Sequence, residues 1–91
     1  MALFMVIEHY KDDNPIPVYQ RFRDSGRLAP EGLKYLDSWV NENLNTCYQL
    51  METKEKALLD EWIKKWEDIV DFEVHPILTS KQAFERVKPL L

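Results

Sequence analysis

Apolar residues fall along this chain in two rhythms, short runs or alternations and longer helical repeats, and the rhythms predict its elements in order. Leu3-Phe4-Met5-Val6-Ile7 is nearly continuous, so residues 3–9 read as a strand buried on both faces. Asn14 before Pro15 reads as an N-cap with proline at the first helical position, opening a helix that turns Val18, Tyr19 and Phe22 inward. Gly26 suits the C′ position that ends it. Pro30 and Gly32 mark a turn into a second strand at 33–41. Asn41-Glu42-Asn43-Leu44-Asn45 reads as a hairpin loop into a third strand at 46–52. Thr53 is the expected N-cap of a second helix, whose stripe is Leu58, Leu59, Trp62, Ile63, Trp66 and Ile69. Asp60 with Lys64 and Glu61 with Lys65 are expected pairs on its wet side. Residues 70–78 form a fourth strand, placed at an edge or bulge because Pro76 cannot donate to a ladder. Thr79-x-x-Gln82 reads as a capping box for a short last helix that stops before Pro89.

Strand, helix, strand, strand, helix, strand is the order of an α+β, ferredoxin-like βαββαβ unit. It predicts one domain over residues 1–91, a four-stranded antiparallel sheet in order 4-1-3-2, two helices on one face and a short C-terminal helix. Leu58, Trp62, Trp66, Val18 and Phe22 are expected beneath those helices. The sheet's other face is left for a second copy, because the first strand is apolar on both sides.

Composition narrows the partners. Among 91 residues 45% are hydrophobic, which supports a packed core but a small one, and a homodimer would bury the remainder. A net charge of −4 argues against a nucleic-acid backbone as partner. No apolar run reaches the roughly 20 residues a membrane helix needs. The opening Met1-Ala2-Leu3-Phe4 lacks the basic start of a secretion signal. Cys47 is the single cysteine, so no intrachain disulfide forms, and a reducing, cytoplasmic setting is expected.

The candidate chemistry lies on alternating strand positions. Side chains two apart share a face, which groups Glu8, Tyr35, Asp37, Trp39, Cys47, Gln49, Glu73 and His75. Phe72, Val74, Tyr48, Leu50, Leu36 and Val40 then take the helix-facing positions. The polar face is expected to line a small-molecule pocket, with Glu8, Tyr35, Asp37, Trp39, Gln49, Glu73 and His75 as candidate ligand-binding residues. The plainer alternative is a hydrogen-bonded dimer interface. Glu73-x-His75 can share a proton or hold a divalent cation, but the spacing is common, and no metal or cofactor is expected. His9 has the opposite parity to Glu8 and is left out of the group. Cys47 reads as a small buried hydrophobe rather than a nucleophile. Arg21, Arg23 and Arg27 could hold an anion, yet a solvated helix face with Asp24 and Glu31 as partners is the simpler reading. Two glycines are too few for a phosphate loop, and no CxxC follows the first strand.

Several segments together resemble a family of small bacterial proteins known only as a domain of unknown function. They include Leu3-Phe4-Met5-Val6-Ile7-Glu8, Arg21-Phe22-Arg23, Pro30-Glu31-Gly32-Leu33, Cys47-Tyr48-Gln49-Leu50-Met51-Glu52, Leu58-Leu59-Asp60-Glu61-Trp62 and Val70-Asp71-Phe72-Glu73-Val74. The resemblance implies a dimeric α+β barrel, a group of ferredoxin-like homodimers spanning cofactor-free monooxygenases, isomerases, haem-handling enzymes and ligand sensors. It supplies no reaction and no catalytic residues. The expectation is a homodimer that binds a small organic ligand, with or without acid–base chemistry; a non-catalytic interaction or regulatory dimer is the alternative. Whether the chain is an enzyme stays open at this point.

Overall fold

The computed structural model describes residues 2–91. The chain runs β1 (Ala2–Tyr10), a 3-10 turn, α1 (Ile16–Ser25), β2 (Lys34–Val40), β3 (Thr46–Thr53), α2 (Lys56–Lys64), β4 (Val70–Ile77) and α3 (Ser80–Val87). The sheet order is β2-β3-β1-β4 with every pair antiparallel. This is the expected ferredoxin-like arrangement, an open sheet and not a closed barrel. β4 is an edge strand, as Pro76 requires.

Local capping follows the expected chemistry with small shifts. The Asn14 carboxamide accepts the Ile16 N–H at 3.0 Å, although Pro15 occupies the cap position itself. Thr53 stays in β3, three residues before α2 begins, and its hydroxyl accepts the N–H of Glu55, the residue at the cap position. The box at Thr79 and Gln82 closes in both directions. Gly26 ends α1 with φ 72° and ψ −159°, a region that only glycine enters cheaply. The pairs expected along α2 do not form. Lys56 binds Asp60 at 3.0 Å instead, and Lys65 reaches across to the Leu28 carbonyl.

α1 and α2 cover the sheet face that carries Phe4, Val6, Glu8 and Tyr10 from β1. Cross-strand partners share a face, so Cys47, Gln49 and Met51 join them from β3, as do Val70, Phe72 and Val74 from β4. Leu59, Trp62 and Trp66 close over this layer and are all but fully buried. Val18 packs with them, whereas Phe22 and Tyr19 remain about half exposed at the edge, contrary to the inward placement expected of them.

Met5, Ile7, Tyr48 and Leu50 point to the other side, which no helix among the described residues covers. The molecule is only 17 Å thick, the depth of one sheet and one helix layer. α3 adds no cover to the core, since it has no buried residue.

One further tie joins the layers. The indole N–H groups of Trp62 and Trp66 both donate to the backbone carbonyl of Arg27, at 2.9 and 3.0 Å. Truncating Trp62 removes a fully buried ring and one of these bonds. Trp62→Ala is expected to cost about 3–5 kcal/mol, a large share of the stability of so small a domain. Trp62→Phe should cost less, about 1–2 kcal/mol, by losing mainly the hydrogen bond. Urea unfolding midpoints measure both, and an unchanged midpoint for Trp62→Ala would refute the packing described.

Candidate functional site

The residues grouped by parity divide between the two faces. Glu8, Tyr35, Cys47 and Gln49 lie on the helix side, while Asp37, Trp39, Glu73 and His75 lie on the open side. Two physical causes account for the correction. A bulge at Leu36 lets Tyr35 pair with Met51 and Asp37 with Leu50, so the two tyrosine and aspartate side chains leave the strand in opposite directions. The second cause is the burial of Cys47, Gln49 and Met51, which turns Tyr48 and Leu50 outward, the reverse of the expected assignment. β4 keeps the parity expected of Phe72 and Val74, and it carries no bulge at Pro76.

On the open face Glu73 links two histidines. Its carboxylate meets His9 Nε2 at 2.8 Å and His75 Nε2 at 3.0 Å. Those two hydrogen bonds hold the Glu73 carboxyl below its ordinary range, that from His75 most. His9, left out on parity with Glu8, belongs here because Glu73 has His9's parity rather than Glu8's. All three side chains are about half exposed. Among the described residues no group of three or more His, Cys, Asp or Glu is arranged to hold a metal ion.

The helix side holds a half-open site. A cavity of about 130 Å³ opens between the sheet and the helices, walled by Glu8, Tyr10, Cys47 and Gln49 from the sheet and by Val18, Trp62 and Trp66 from the helix layer. Phe22, Tyr19 and Arg27 stand at its edge. An apolar hole of roughly 150 Å³ accommodates one benzene ring, so the space suits a single-ring or short-chain molecule.

Glu8 is the chemical centre of this cavity. Its side chain is buried, and among the described residues it forms no ion pair. Burial pushes its carboxyl up to about 7, against the lowering effect of the Cys47 thiol's hydrogen bond and the Arg27 charge. Near neutral pH the group therefore exists both as acid and as carboxylate. Cys47 faces it across the strand pair. Burial, followed by the proximity of Glu8, drives that thiol up to about 12, so it is a hydrogen-bond donor and not a nucleophile. Burial likewise raises the Tyr10 hydroxyl, which stays protonated. Gln49 turns its carboxamide nitrogen toward Met51 Sδ at 3.2 Å.

The three arginines have separate fates. Arg21 makes a bidentate pair with Asp68, at 2.8 and 2.7 Å, and Arg23 pairs with Asp24. Arg27 lies over the Tyr35 ring at 3.6 Å from its centroid and over Phe22 at 5.1 Å. Sequence reasoning also passed over Tyr10 and treated Trp62 and Trp66 as core alone. The spacing Glu8-x-Tyr10 on one strand is the signal that places Tyr10 beside the carboxyl.

A two-layer ferredoxin-like domain with a buried carboxyl, free of any ion pair, in an aromatic cavity is thus the class of protein the geometry defines. The chain belongs to the family described as Domain of unknown function (DUF3303), whose profile matches residues 2–91. No curated protein and no solved structure matches it. No helix among the described residues is long and apolar enough to cross a membrane.

The carboxyl has a consequence for stability. An acid whose folded value lies near 7 rather than the usual 4.5 binds more protons in the folded state between those values. The contribution of Glu8 to stability is then greatest below about pH 4.5 and declines as pH rises through 7, by about 3 kcal/mol in all. Glu8→Gln removes this slope. The stability difference between the variant and the wild type should move in the variant's favour from pH 5 to pH 8, read by chemical denaturation. A difference that stays constant would show that Glu8 titrates normally.

Proposed function

We propose that the domain binds a small organic molecule in the cavity between sheet and helices and that Glu8 exchanges a proton with it. The observation that supports this is the Glu8 carboxyl itself, buried on a cavity wall with no cation paired to it. A core gains nothing in stability from such a group, whereas a proton donor or acceptor working near neutral pH needs this environment. Gln49 and Tyr10 supply fixed polar contacts, and Trp62 and Trp66 supply flat apolar surface. Tyr35 borders the same region through its contact with Arg27. Asp37, Trp39, Glu73 and His75 have no part in this cavity, and their proposed role moves to the opposite face.

That face supports the second part of the reading, a homodimer of the dimeric α+β barrel kind. Met5, Ile7, Tyr48 and Leu50 form an apolar strip that no element among the described residues covers, flanked by Trp39, which is 53% exposed. A second copy seated there buries the strip, with the His9–Glu73–His75 cluster at its margin. If the cavity takes no ligand, this face leaves a non-catalytic interaction or regulatory dimer as the function. Cys47, enclosed and reduced, suits a cytoplasmic setting.

Two measurements test these readings. Titration of the whole domain with neutral single-ring probes such as phenol and benzamide should give saturable NMR shifts at the Trp62 and Trp66 indole N–H signals. Shifts confined to Trp39 and Tyr48, or none at millimolar probe, would overturn the cavity reading. Sedimentation should show twice the chain mass at micromolar concentration, with Leu50→Lys returning it to a monomer of unchanged circular dichroism. A wild-type monomer would refute the dimer, since stable interfaces bury about 1,200 Å² or more.

A further inference from the structure

We infer that the molecule bound in this cavity is a small organic carboxylate, received through its charged end by Arg27; the inference rests on the reading of the Glu8 cavity as a ligand site. Arg27 differs from its neighbours Arg21 and Arg23, each of which already holds an acidic partner. Among the described residues Arg27 forms no ion pair, and its guanidinium donates no hydrogen bond. Yet it is far from loose. Its backbone carbonyl is pinned by the indoles of Trp62 on α2 and of Trp66 just beyond it, and its guanidinium is stacked on Tyr35 with Phe22 alongside.

Stacking satisfies the faces of a guanidinium and leaves its N–H edge free. That edge matches the two oxygens of a carboxylate. A cation already held in place loses little freedom on binding, so more of the interaction appears as affinity. The chain around it is held at some conformational cost, since Leu28 is a non-glycine residue at φ 63°. Such cost is common where a loop is shaped for a ligand.

Size and charge narrow the class further. About 130 Å³ admits one ring or a short chain, not a nucleotide or a sugar phosphate. One unpaired cation matches one negative charge. Glu8, on the same cavity wall, carries a proton for much of the time at neutral pH and below, so it donates to an anion there rather than repelling it. The apolar body of the ligand would lie on Val18, Val40 and Trp62.

Benzoate and benzamide, which share a shape and differ in charge, test the inference by calorimetric titration of the whole domain at pH 6. Wild type should bind benzoate about tenfold or more tightly than benzamide, as a charge-assisted contact implies. Arg27→Gln should bring the two within about twofold of each other, with the larger loss falling on benzoate. Arg27→Lys, which keeps the charge and loses the planar fork, should restore part of the preference. Equal binding of both probes to wild type would overturn the carboxylate assignment and leave the cavity reading intact. A benzoate preference that survives Arg27→Gln would overturn the role of Arg27 as the receiving cation. If neither probe binds wild type, both readings fall together. The wild-type comparison is decisive even if a variant fails to fold.

Discussion

The Arg27 carbonyl is the point on which the two layers of this protein depend. Two tryptophans one helical turn apart on the α2 side both donate to it. Their rings at the same time fill the core beneath, with Trp62 edge-on to Phe72 at 5.5 Å. Each indole is thus apolar body and polar tip at once, a pairing that only Trp and Tyr offer. Arg21 reinforces the tie by bonding the Lys65 carbonyl and Asp68, and Lys65 does so through the Leu28 carbonyl. α1, with Val18 as its one buried residue, is therefore held less by its own apolar stripe than by polar links from the loop after it to the end of α2.

The same links shape the cavity. A helix with more large apolar residues would settle onto the sheet and close the space above Glu8. Here Phe22 and Tyr19 stay at the edge, Tyr19 meeting Tyr10 edge-on at 6.3 Å, and a hole remains. A carboxyl in that position opposes folding, since ionising it in a poorly solvated site is costly. Local departures from good folding chemistry of this kind mark sites more often than accidents. Glu8 and Leu28, one buried acid and one left-handed leucine, are two such departures near a single arginine.

The opposite face follows a different logic. Its strip of Met5, Ile7, Tyr48 and Leu50 is apolar because β1 and β3 are central strands, and a helix layer on one side leaves the other bare. The charged and aromatic residues at its margins, among them the Glu73 carboxylate between two histidines, are polar groups with defined partners rather than a continuous wet surface. A face of that composition is suited to contact with another protein surface.

Element order, sheet order and the edge position of β4 were legible in the residues because each has a local cause: Gly26 and Pro30 end and start segments, Pro76 cannot sit in a central strand, and the α2 stripe has an unmistakable period. The face on which each strand residue lies was not legible. Leu3-Phe4-Met5-Val6-Ile7 is apolar at both parities, and Cys47-Tyr48-Gln49-Leu50-Met51 is so but for Gln49, so alternation cannot say which side meets the helices. The bulge at Leu36 has no sequence mark, yet it alone separates Tyr35 from Asp37. The parity rule did place Glu8 correctly opposite His9, and then erred in joining Glu8 to Glu73, because relative parity between strands is a matter of register. By itself the sequence determined the scaffold and the residue types able to do chemistry. Tertiary structure decided which of them meet, because register, a one-residue bulge and the seating of two tryptophans on a distant carbonyl are set by contacts far apart along the chain.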